Sequence, residues 1–235
     1  MEITSINNKL VKDITKLHKR KYRNETNQFI VEGYHLYEEA KKAGNIKYVF
    51  TTDRYIIGPN VHYVTDQVLE KLTQTKNPQA VLTVCEKITS KNVYDKVLLL
   101  DHIQDPGNLG TLMRSALAFG FDTIVLDNTV DIYNDKVLRS TQGAIFKLSI
   151  IESNAMEFMN EHPSHTVYGT SMSGQALKEL NFPEKVILIL GNEGAGVKKE
   201  LLGRAHHNIT IKTKDVDSLN VGVAGSIIMC QISNL

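Results

Sequence analysis

The segment from Val97 to Leu126 constrains the fold of this chain more than any other part of the sequence. Val97 to Leu100 is an apolar run as long as a buried strand, and the Pro-Gly-Asn sequence at 106–108 ends the extended pattern abruptly. A helical pattern follows, and Thr123 to Leu126 is again apolar and extended. This order of strand, turn, helix and strand predicts a βαβ unit in a mostly parallel sheet.

The helix of this unit carries the first candidate site. Asn108 is predicted to cap its first turn, and Gly120 lies where a left-handed residue often ends a helix. Arg114 follows in the pattern N-x-G-x-x-x-R, in early turns where the helix dipole disfavours a cation. A lone arginine at such a place is typical of an ordinary surface residue. Beside the Asn-Gly turn, however, Asn108 and Arg114 indicate a ligand site beyond the strand ends.

The composition is that of a globular protein without a membrane segment. Hydrophobic residues make up 42% of the 235 residues and charged residues 23%, which allows a buried core in one or two domains. No apolar run approaches the length of a membrane span, and the first residues lack the apolar core of a signal peptide. Cys85 and Cys230 form no C-x-x-C pair, so we expect two reduced, buried cysteines in a cytoplasmic protein.

Basic residues are concentrated near the N-terminus, although the net charge of the whole chain is only +1. Between residues 9 and 23, seven lysines and arginines accompany a single acid, Asp13, and apolar residues recur among them at helical spacing. The pattern predicts one amphipathic basic helix. Its charged face is either solvated or contacts phosphates, and the run itself does not choose between the two. The candidate phosphate contacts are Lys16, Lys19 and Arg20.

A polar segment, Lys87 to Lys96, precedes the strand that opens the βαβ unit. Short strands and helices alternate before it, without a cluster of titratable residues that would indicate catalysis. We therefore place a domain boundary near residue 92. It separates a small N-terminal α/β domain at 1–92 from a second domain at 93–235.

Three polar clusters in the second domain each follow an apolar strand. The first contains Asn108 and Arg114, the second is the Gly191–Gly196 loop after the strand Val186 to Leu190, and the third is Asp217 to Asn220. Ligands of open α/β sheets bind in the crevice outside the carboxyl ends of the strands. The three clusters are therefore predicted to share one site.

Neither of the familiar phosphate-binding patterns occurs in the glycine loop. Its G-x-x-G-x-G spacing differs from the dinucleotide fingerprint, and the G-K-[S/T] of a P-loop is absent. Glu193 within the loop would repel a phosphate. In the third cluster, Ser218 and Asn220 could simply cap the last helix, and no histidine lies near Ser218 in sequence to activate it. The paired histidines lack a matching ligand set, so no metal site is expected.

The three clusters together resemble the sequence motifs of the SpoU–TrmH ribose methyltransferases of the SPOUT class. The resemblance rests on N-x-G-x-x-x-R at 108–114, on the strand and GNEGAG at 186–196, and on DSLNVGVA at 217–224. The run VDIYNDKVLRSTQGAIF at 130–146 resembles the segment between the family motifs. NQFIVEG and NPQAVLTV resemble the small substrate-binding domain of members that act on ribosomal RNA. The resemblance covers nearly the whole chain.

The resemblance implies transfer of a methyl group from S-adenosylmethionine to a ribose 2′-hydroxyl of RNA, with ribosomal RNA favoured by the extra N-terminal domain. It also implies a homodimer and an α/β fold with a mostly parallel sheet, helices on both faces and a C-terminal trefoil knot. The general rule that chains are unknotted would not have suggested the knot. We expect neither association with a membrane nor a bound metal ion.

The resemblance also assigns the site. The catalytic residues that it implies are Asn108, Arg114, Glu193, Ser218 and Asn220. The cofactor would contact Thr170, Gly191, Ile211 and Leu219. Arg114 has been assigned as the base in this family, but a guanidinium holds its proton too tightly for that role. We expect it to bind the adjacent phosphate and to stabilise the developing oxyanion instead.

The sequence departs from the family pattern at a few positions. Ile211-Lys212-Thr213 replaces Ile-Pro-Met, the loop to Leu219 is one residue shorter, and Gly222 replaces a serine. These departures put the assignment of Ile211 in question, and none removes a proposed catalytic side chain. The alternatives are a transfer-RNA 2′-O-methyltransferase, an RNA-binding protein without activity on the same fold, and a nucleotide-dependent enzyme, which the missing fingerprint disfavours.

Overall fold

The computed structural model describes residues 2–88 and 92–233, which pack as two compact units. The first unit contains residues 2–88 together with Tyr133–Phe146, and the second contains residues 92–132 and 147–233. The boundary predicted near residue 92 adjoins residues 89–91, which lie outside the described residues. The packing also differs from a single division there, because Tyr133–Phe146 belongs to the first unit. The ring of Tyr133 lies 4.7 Å from that of Phe29, measured between centroids.

The elements alternate along the chain as the sequence pattern predicts. The strands are β1 (Glu2–Ile3), β2 (Gln28–Glu32), β3 (Ile46–Thr51), β4 (Val61–Val64), β5 (Val81–Glu86), β6 (Lys96–Asp101), β7 (Thr123–Asp127), β8 (Ser149–Glu152), β9 (Thr166–Ala176), β10 (Val186–Gly191) and β11 (His207–Thr210). The helices are α1 (Lys9–Lys16), α2 (Arg20–Thr26), α3 (Tyr34–Ala43), α4 (Asp66–Leu72), α5 (Pro106–Ala118), α6 (Asp135–Thr141), α7 (Ala155–Glu161), α8 (Lys199–Arg204) and α9 (Val221–Ser233), with 3₁₀ turns at Ala144–Phe146 and Leu177–Glu179.

The strands of the first unit form a sheet in the order β1-β4-β3-β5-β2, in which β5 runs antiparallel to both of its neighbours. Successive residues of a strand point to opposite faces. Phe50 of β3 packs with α1 and α4, whereas Val49 packs with Tyr37 of α3. The sheet therefore carries helices on both faces, with the basic segment on the side of α1.

The basic run is divided into α1 and α2, and the prediction of one continuous helix is wrong. Lys19 is extended (φ −100°, ψ 131°) and separates the two helices. Arg23 explains the break, because it is 6% exposed and its Nη1 donates to the Leu17 carbonyl oxygen at 2.8 Å. The charge pattern counted Arg23 on the solvated face, but it is a buried residue that binds the end of α1.

The strands of the second unit form a sheet in the order β11-β9-β10-β6-β7-β8, and every pair in it is parallel. Val97 and Leu99 of β6 pack with α7 and α8 on one face. On the other face, Gly225 of α9 lies between the side chains of Leu112 in α5 and Leu190 in β10. This arrangement confirms the predicted α/β class with a mostly parallel sheet and helices on both sides.

The chain order reverses at the boundary between β6 and β10, where β7 lies on one side and β9 on the other. Loops that leave two strands at such a switch point diverge and open a crevice between them. The loop after β6 leads into α5, and the loop after β10 contains Gly191–Gly196. Two of the three predicted clusters are therefore placed at the topological switch point.

The cysteines differ in their surroundings. Cys85 is buried as predicted, and the prediction that Cys230 is buried is wrong, because it lies on an exposed part of α9. Among the described residues, no helix combines the length and the apolarity that crossing a bilayer requires.

Candidate active site

The first turn of α5 is capped by Asp105, and the prediction that Asn108 is the cap is wrong. The Asp105 side chain accepts from the backbone N–H of Asn108 at 2.8 Å, and Pro106 occupies the first helical position. Proline suits that position because its missing N–H would have no partner within the helix. Asn108 thus lies inside the first turn, where its side-chain amide is available for contacts outside the helix.

The carboxylate of Glu193 lies at the start of α5, in the place where a bound anion would accept hydrogen bonds. Its carboxylate accepts from the backbone N–H groups of Gln104 at 3.3 Å and Asp105 at 3.1 Å, and from Asn108 Nδ2 at 3.1 Å. Partial burial acts to raise the pKa of Glu193. The hydrogen bonds from Asn108 and from the backbone outweigh burial and hold the pKa below its ordinary value. Glu193 is therefore a carboxylate at neutral pH.

Asn108 connects Glu193 to the third cluster. Its Oδ1 accepts from Asn220 Nδ2 at 2.9 Å. Asn220 in turn caps α9, because its Oδ1 accepts from the backbone N–H groups of Gly222 at 2.9 Å and Val223 at 3.3 Å. Capping and site formation were alternatives for Asn220 at the level of sequence, and the structure shows both in one side chain. Gly222 provides the room, since a Cβ there would lie 3.1 Å from Asn220 Oδ1.

The Gly191–Gly196 loop folds back on itself. A Cβ on Gly191 would collide with the backbone of Gly196 and Val197, so the end of β10 requires glycine. Asn192 holds the turn by accepting from the N–H groups of Gly194 and Ala195, both at 3.0 Å. The loop is thus a compact turn that presents Glu193 towards α5.

A cleft of about 930 Å³ lies beside this loop. Its lining includes all four predicted cofactor contacts, Thr170, Gly191, Ile211 and Leu219, together with the predicted catalytic residues Glu193, Ser218 and Asn220. The sequence missed the neighbouring segment 171–174, which also lines the cleft. β9 and β11 pair at Gly169 and resume at Gln175, so the residues between them leave the ladder and face the cleft. No sequence pattern indicated that segment 171–174 lines the cleft, because its departure from the ladder is visible only in the register of the two strands.

Arg114 and Ser218 are placed differently from the hydrogen-bonded cluster. Both side chains are exposed, and neither side chain forms a hydrogen bond or an ion pair within the described part of the chain. Arg114 lies two turns beyond Asn108 on α5, and Ser218 lies on the cleft wall. The structure therefore brings together Asn108, Glu193 and Asn220 by direct contact, and leaves the guanidinium of Arg114 directed to solvent.

The candidate RNA contacts lie in the first unit. Lys16, Lys19 and Arg20 are all exposed at the junction of α1 and α2. Lys16 Nζ is 2.8 Å from Asp13 Oδ1, in a pair that is half-exposed on both sides. No group of three or more histidine, cysteine or acidic side chains arranged for a metal ion occurs in residues 2–88 and 92–233.

Profiles of known protein families match parts of both units. The sequence profile of the SpoU rRNA Methylase family matches residues 95–230, and that of the MRM3-like substrate binding domain matches residues 8–83. The chain is 38% identical to the 23S rRNA (guanosine(2553)-2′-O)-methyltransferase RlmP of Bacillus subtilis, with 97% of each protein covered. It is 32% identical to an uncharacterized tRNA/rRNA methyltransferase of Synechocystis, with 97% of this chain and 91% of that protein covered.

A solved structure extends the likeness to three dimensions. The AdoMet-bound rRNA methyltransferase from Sinorhizobium meliloti is 30% identical to this chain. The two superpose with a TM-score of 0.90 over 100% of this chain and 97% of that one. By profile match, by sequence and by structure, the chain belongs to the SpoU rRNA methylase family.

Proposed function

We propose that this protein transfers the methyl group of S-adenosylmethionine to a ribose 2′-hydroxyl of ribosomal RNA. The observation that carries the proposal is the chain of hydrogen bonds from Glu193 through Asn108 to Asn220 at the rim of the cleft. The names of the relatives from Bacillus subtilis and Sinorhizobium meliloti support the same activity. The extra unit that matches a substrate binding domain favours ribosomal over transfer RNA.

The residues of the cleft fit S-adenosylmethionine. The volume lies within the range of small-molecule sites, and apolar walls from Ile209, Leu219 and Ile228 accompany polar groups such as Thr170 and Ser218. The ionised carboxylate of Glu193 is compatible with a cationic ligand and unfavourable for a phosphate. We assign Thr170, Gly191, Ile211 and Leu219 to the cofactor, which supplies an activated methyl group on a sulfonium.

The side chains of the protein orient the reactants and stabilise charge. Glu193 fixes the amide of Asn108 by accepting from Nδ2, which leaves Oδ1 to accept from Asn220. The rim of the cleft is therefore held at both α5 and α9 before substrate arrives. Such preorganisation accounts for a large part of the rate of a displacement that needs in-line geometry. Ser218, on the cleft wall, completes the set of orienting groups.

Arg114 acts on the RNA. Its guanidinium is exposed and is not engaged by the described residues, so a phosphate can be bound in the bidentate manner that arginine favours. Once the phosphate next to the target ribose is held, the same positive charge stabilises the oxyanion that develops on the 2′ oxygen. Arg114 is therefore an electrostatic catalyst and not the base.

The first unit, including Lys16, Lys19 and Arg20, binds the RNA substrate. We propose a functional division between this substrate-binding part, centred on residues 1–92, and the catalytic part centred on 93–235. The profile match at 8–83 supports it. The reaction takes place in the cytoplasm.

We further propose that the enzyme is a homodimer. An apolar stripe on α9 is exposed, with Val223 at 49% and Ile227 at 42%, and Cys230 continues it one turn later. Residues at this spacing share one helix face, and a second copy of the chain would cover it. Light scattering of the purified protein measures its mass, and a stable monomer at micromolar concentration would contradict the dimer.

The family also implies that the second unit is knotted, and we propose a trefoil knot formed by the segments around the cleft. Close approaches support it, since Gly174 lies against the backbone of Asn208 and Ile209, and Gly225 lies against the side chain of Leu190. A single molecule stretched by its two ends would retain the tightened knot. Its extended length would therefore be shorter than that of an unknotted chain of 235 residues.

Two measurements test the activity. Calorimetry should show binding of S-adenosylmethionine and no binding of ATP or NAD, and failure to bind the sulfonium cofactor would reject the proposal. Ribose-methylation mapping of total RNA, with and without the gene, should show one lost 2′-O-methyl group in ribosomal RNA. A loss in transfer RNA would support the transfer-RNA alternative, and cofactor binding without any lost methyl group would contradict methylation of cellular RNA.

A further inference from the structure

Two buried aspartates lie beneath the site, outside the three sequence clusters. β6 ends in Asp101 and β7 ends in Asp127, and the two residues are partners in the register of the sheet. Their side chains are 1% and 4% exposed. Burial of two neighbouring carboxylates is unfavourable unless cations and hydrogen-bond donors compensate it.

Lys198 provides this compensation directly after the glycine loop. Its backbone N–H donates to Asp101 Oδ2 at 3.0 Å, and its Nζ lies 3.1 Å from Asp101 Oδ1 and 3.8 Å from Asp127 Oδ2. Asp127 also accepts from the N–H of Ala155 at 3.1 Å and from Asn128 Nδ2 at 2.7 Å. The C-terminal end of the loop is thereby tied to the ends of two strands.

The N-terminal end of the loop is tied to the same place. Asn192 Nδ2 donates to the carbonyl oxygen of His102 at 2.9 Å, and His102 Nδ1 is 2.8 Å from Asp101 Oδ1. His102 has a left-handed backbone (φ 59°), a conformation that residues other than glycine seldom adopt. Its backbone N–H donates to the Asp127 carbonyl oxygen at 2.9 Å. Strained backbone of this kind persists where surrounding contacts over-determine it.

We propose that the Asp101–Lys198 pair is a positioning device for the reaction: it holds both ends of the Gly191–Gly196 loop and so keeps Glu193 on Asn108. The inference rests on the proposed function of Glu193 and Asn108. Buried ion pairs seldom stabilise a fold more than apolar side chains of similar size would. We assign the pair to positioning, because the two oxygens of Asp101 together fix the orientation of Lys198. One oxygen accepts from the backbone N–H of Lys198, and the other contacts its side-chain Nζ.

The test replaces Lys198 by methionine, which keeps the stem and removes the charge. Lys199→Met is the matched control, since it makes the same change one residue later, on an exposed side chain of α8. Lys198→Arg restores a cation. Amide hydrogen exchange is measured without cofactor or RNA at Gln104, Asp105, Gly194 and Ala195. These amides report on the loop, because the first two donate to Glu193 and the others donate to Asn192.

We expect Lys198→Met to accelerate exchange at these four amides by about 10-fold or more, while Lys199→Met leaves it unchanged and Lys198→Arg restores most of the protection. In methyl transfer, kcat should fall by about 100-fold, the loss associated with a misplacement of roughly 1 Å, with KM for RNA changed less than about 3-fold. In a Glu193→Gln background, Lys198→Met should change kcat by less than about 3-fold, because it acts through Glu193.

Equal exchange in Lys198→Met and Lys199→Met would overturn the proposal, and so would an undiminished loss of kcat in the Glu193→Gln background. If Lys198→Met fails to fold, Asp101→Asn, which preserves size and one acceptor, is taken through the same exchange measurement. If the wild-type protein methylates no RNA, the proposed function fails, and the exchange result still decides whether Lys198 positions the loop.

Discussion

Asn220 donates from its side-chain amide to Asn108 Oδ1 at 2.9 Å, although 112 positions separate the two residues in sequence. One end of this bond lies in the first turn of α5 and the other caps α9. The bond therefore joins the first and third motifs directly, and Glu193 adds the second motif through Asn108. We therefore expect a substitution at any of the three to affect the positions of the other two.

Asn220→Ala should abolish most activity, and the loss of a helix cap does not account for this effect. Asn154 is the matched control, because it caps α7 in the same manner, by accepting from the N–H groups of Met156 and Glu157. Each substitution should lower the free energy of unfolding by about 1 kcal/mol. Only Asn220→Ala should lower kcat/KM, by about 10-fold or more, as measured by methyl transfer to RNA. Equal activity of the two variants would contradict the assigned role.

Arg114→Ala should abolish methylation and leave the fold and the proposed dimer intact. The side chain is exposed and is not bonded within the described residues, so its loss should change stability by less than about 0.5 kcal/mol. Loss of transition-state charge stabilisation should lower kcat by about 100-fold or more. Arg114→Lys should recover little, because an ammonium cannot bind a phosphate in the bidentate manner. Turnover of Arg114→Ala near the wild-type rate would remove Arg114 from the catalytic set.

The lowered pKa of Glu193 predicts a pH-dependent contribution to stability. Because the pKa is lower in the folded protein than in the unfolded chain, the contribution is complete above the pKa of the unfolded chain and is lost as pH falls through the pKa of the folded protein. Urea unfolding of the wild type and of Glu193→Gln should differ by a constant amount from pH 5 to 8. The difference should shrink below about pH 4. A difference that persists unchanged in acid would assign the effect of the substitution to another cause.

Gly191→Ala should disrupt the loop, because its Cβ would meet the backbone of Gly196 and Val197, which cannot move as a side chain can. We expect a loss of about 1–3 kcal/mol in the free energy of unfolding and a loss of cofactor binding by calorimetry. Gly203→Ala is the control, since it lies in α8 with nothing near its Cβ position. Alanine is the better helix former there and should stabilise by up to about 1 kcal/mol. A stable, cofactor-binding Gly191→Ala would contradict the requirement for glycine.

Replacement of Lys16, Lys19 and Arg20 by glutamine should weaken RNA binding and reduce its salt dependence. Each neutralised phosphate contact contributes about 0.7–0.9 to the slope of log affinity against log salt concentration. The decrease should be smaller for Lys16, which Asp13 already neutralises in part. Lys42→Gln on α3, on the opposite face of the sheet, should leave the slope unchanged. An unchanged slope in the triple variant would make the junction of α1 and α2 an ordinary solvated surface.

The sheet of the second unit was predictable because its signal is local. Short apolar runs at Val97, Thr123 and Val186 have the length of buried strands, and the helices between them require parallel pairing. The convergence of the polar clusters also followed, since parallel strands end at the same edge. The division of the basic helix did not follow, because nothing in a charge pattern shows that Arg23 is buried against Leu17.

The convergence of Asn108, Glu193 and Asn220 was predictable, but the hydrogen bonds of this region were not. The motif residues converge, but the cap of α5 is Asp105, three positions before the asparagine that the pattern favours. Both kinds of residue cap helices well, so propensity alone could not separate them. Asp101, Asp127 and Lys198 were missed because their importance comes from strand register. The available signal was that two successive apolar strands both end in aspartate.

The packing of Tyr133–Phe146 with residues 2–88 has a consequence for how this protein can be divided and recombined. Phe29 packs against both Tyr133 and Phe146, so residues 2–88 on their own would expose an aromatic surface that the later segment covers. A truncation near residue 92 would separate the pieces of one hydrophobic core. Grafting the first unit onto another enzyme therefore requires a transplant of two discontinuous stretches of chain, and a graft of the N-terminal stretch alone should yield an insoluble hybrid.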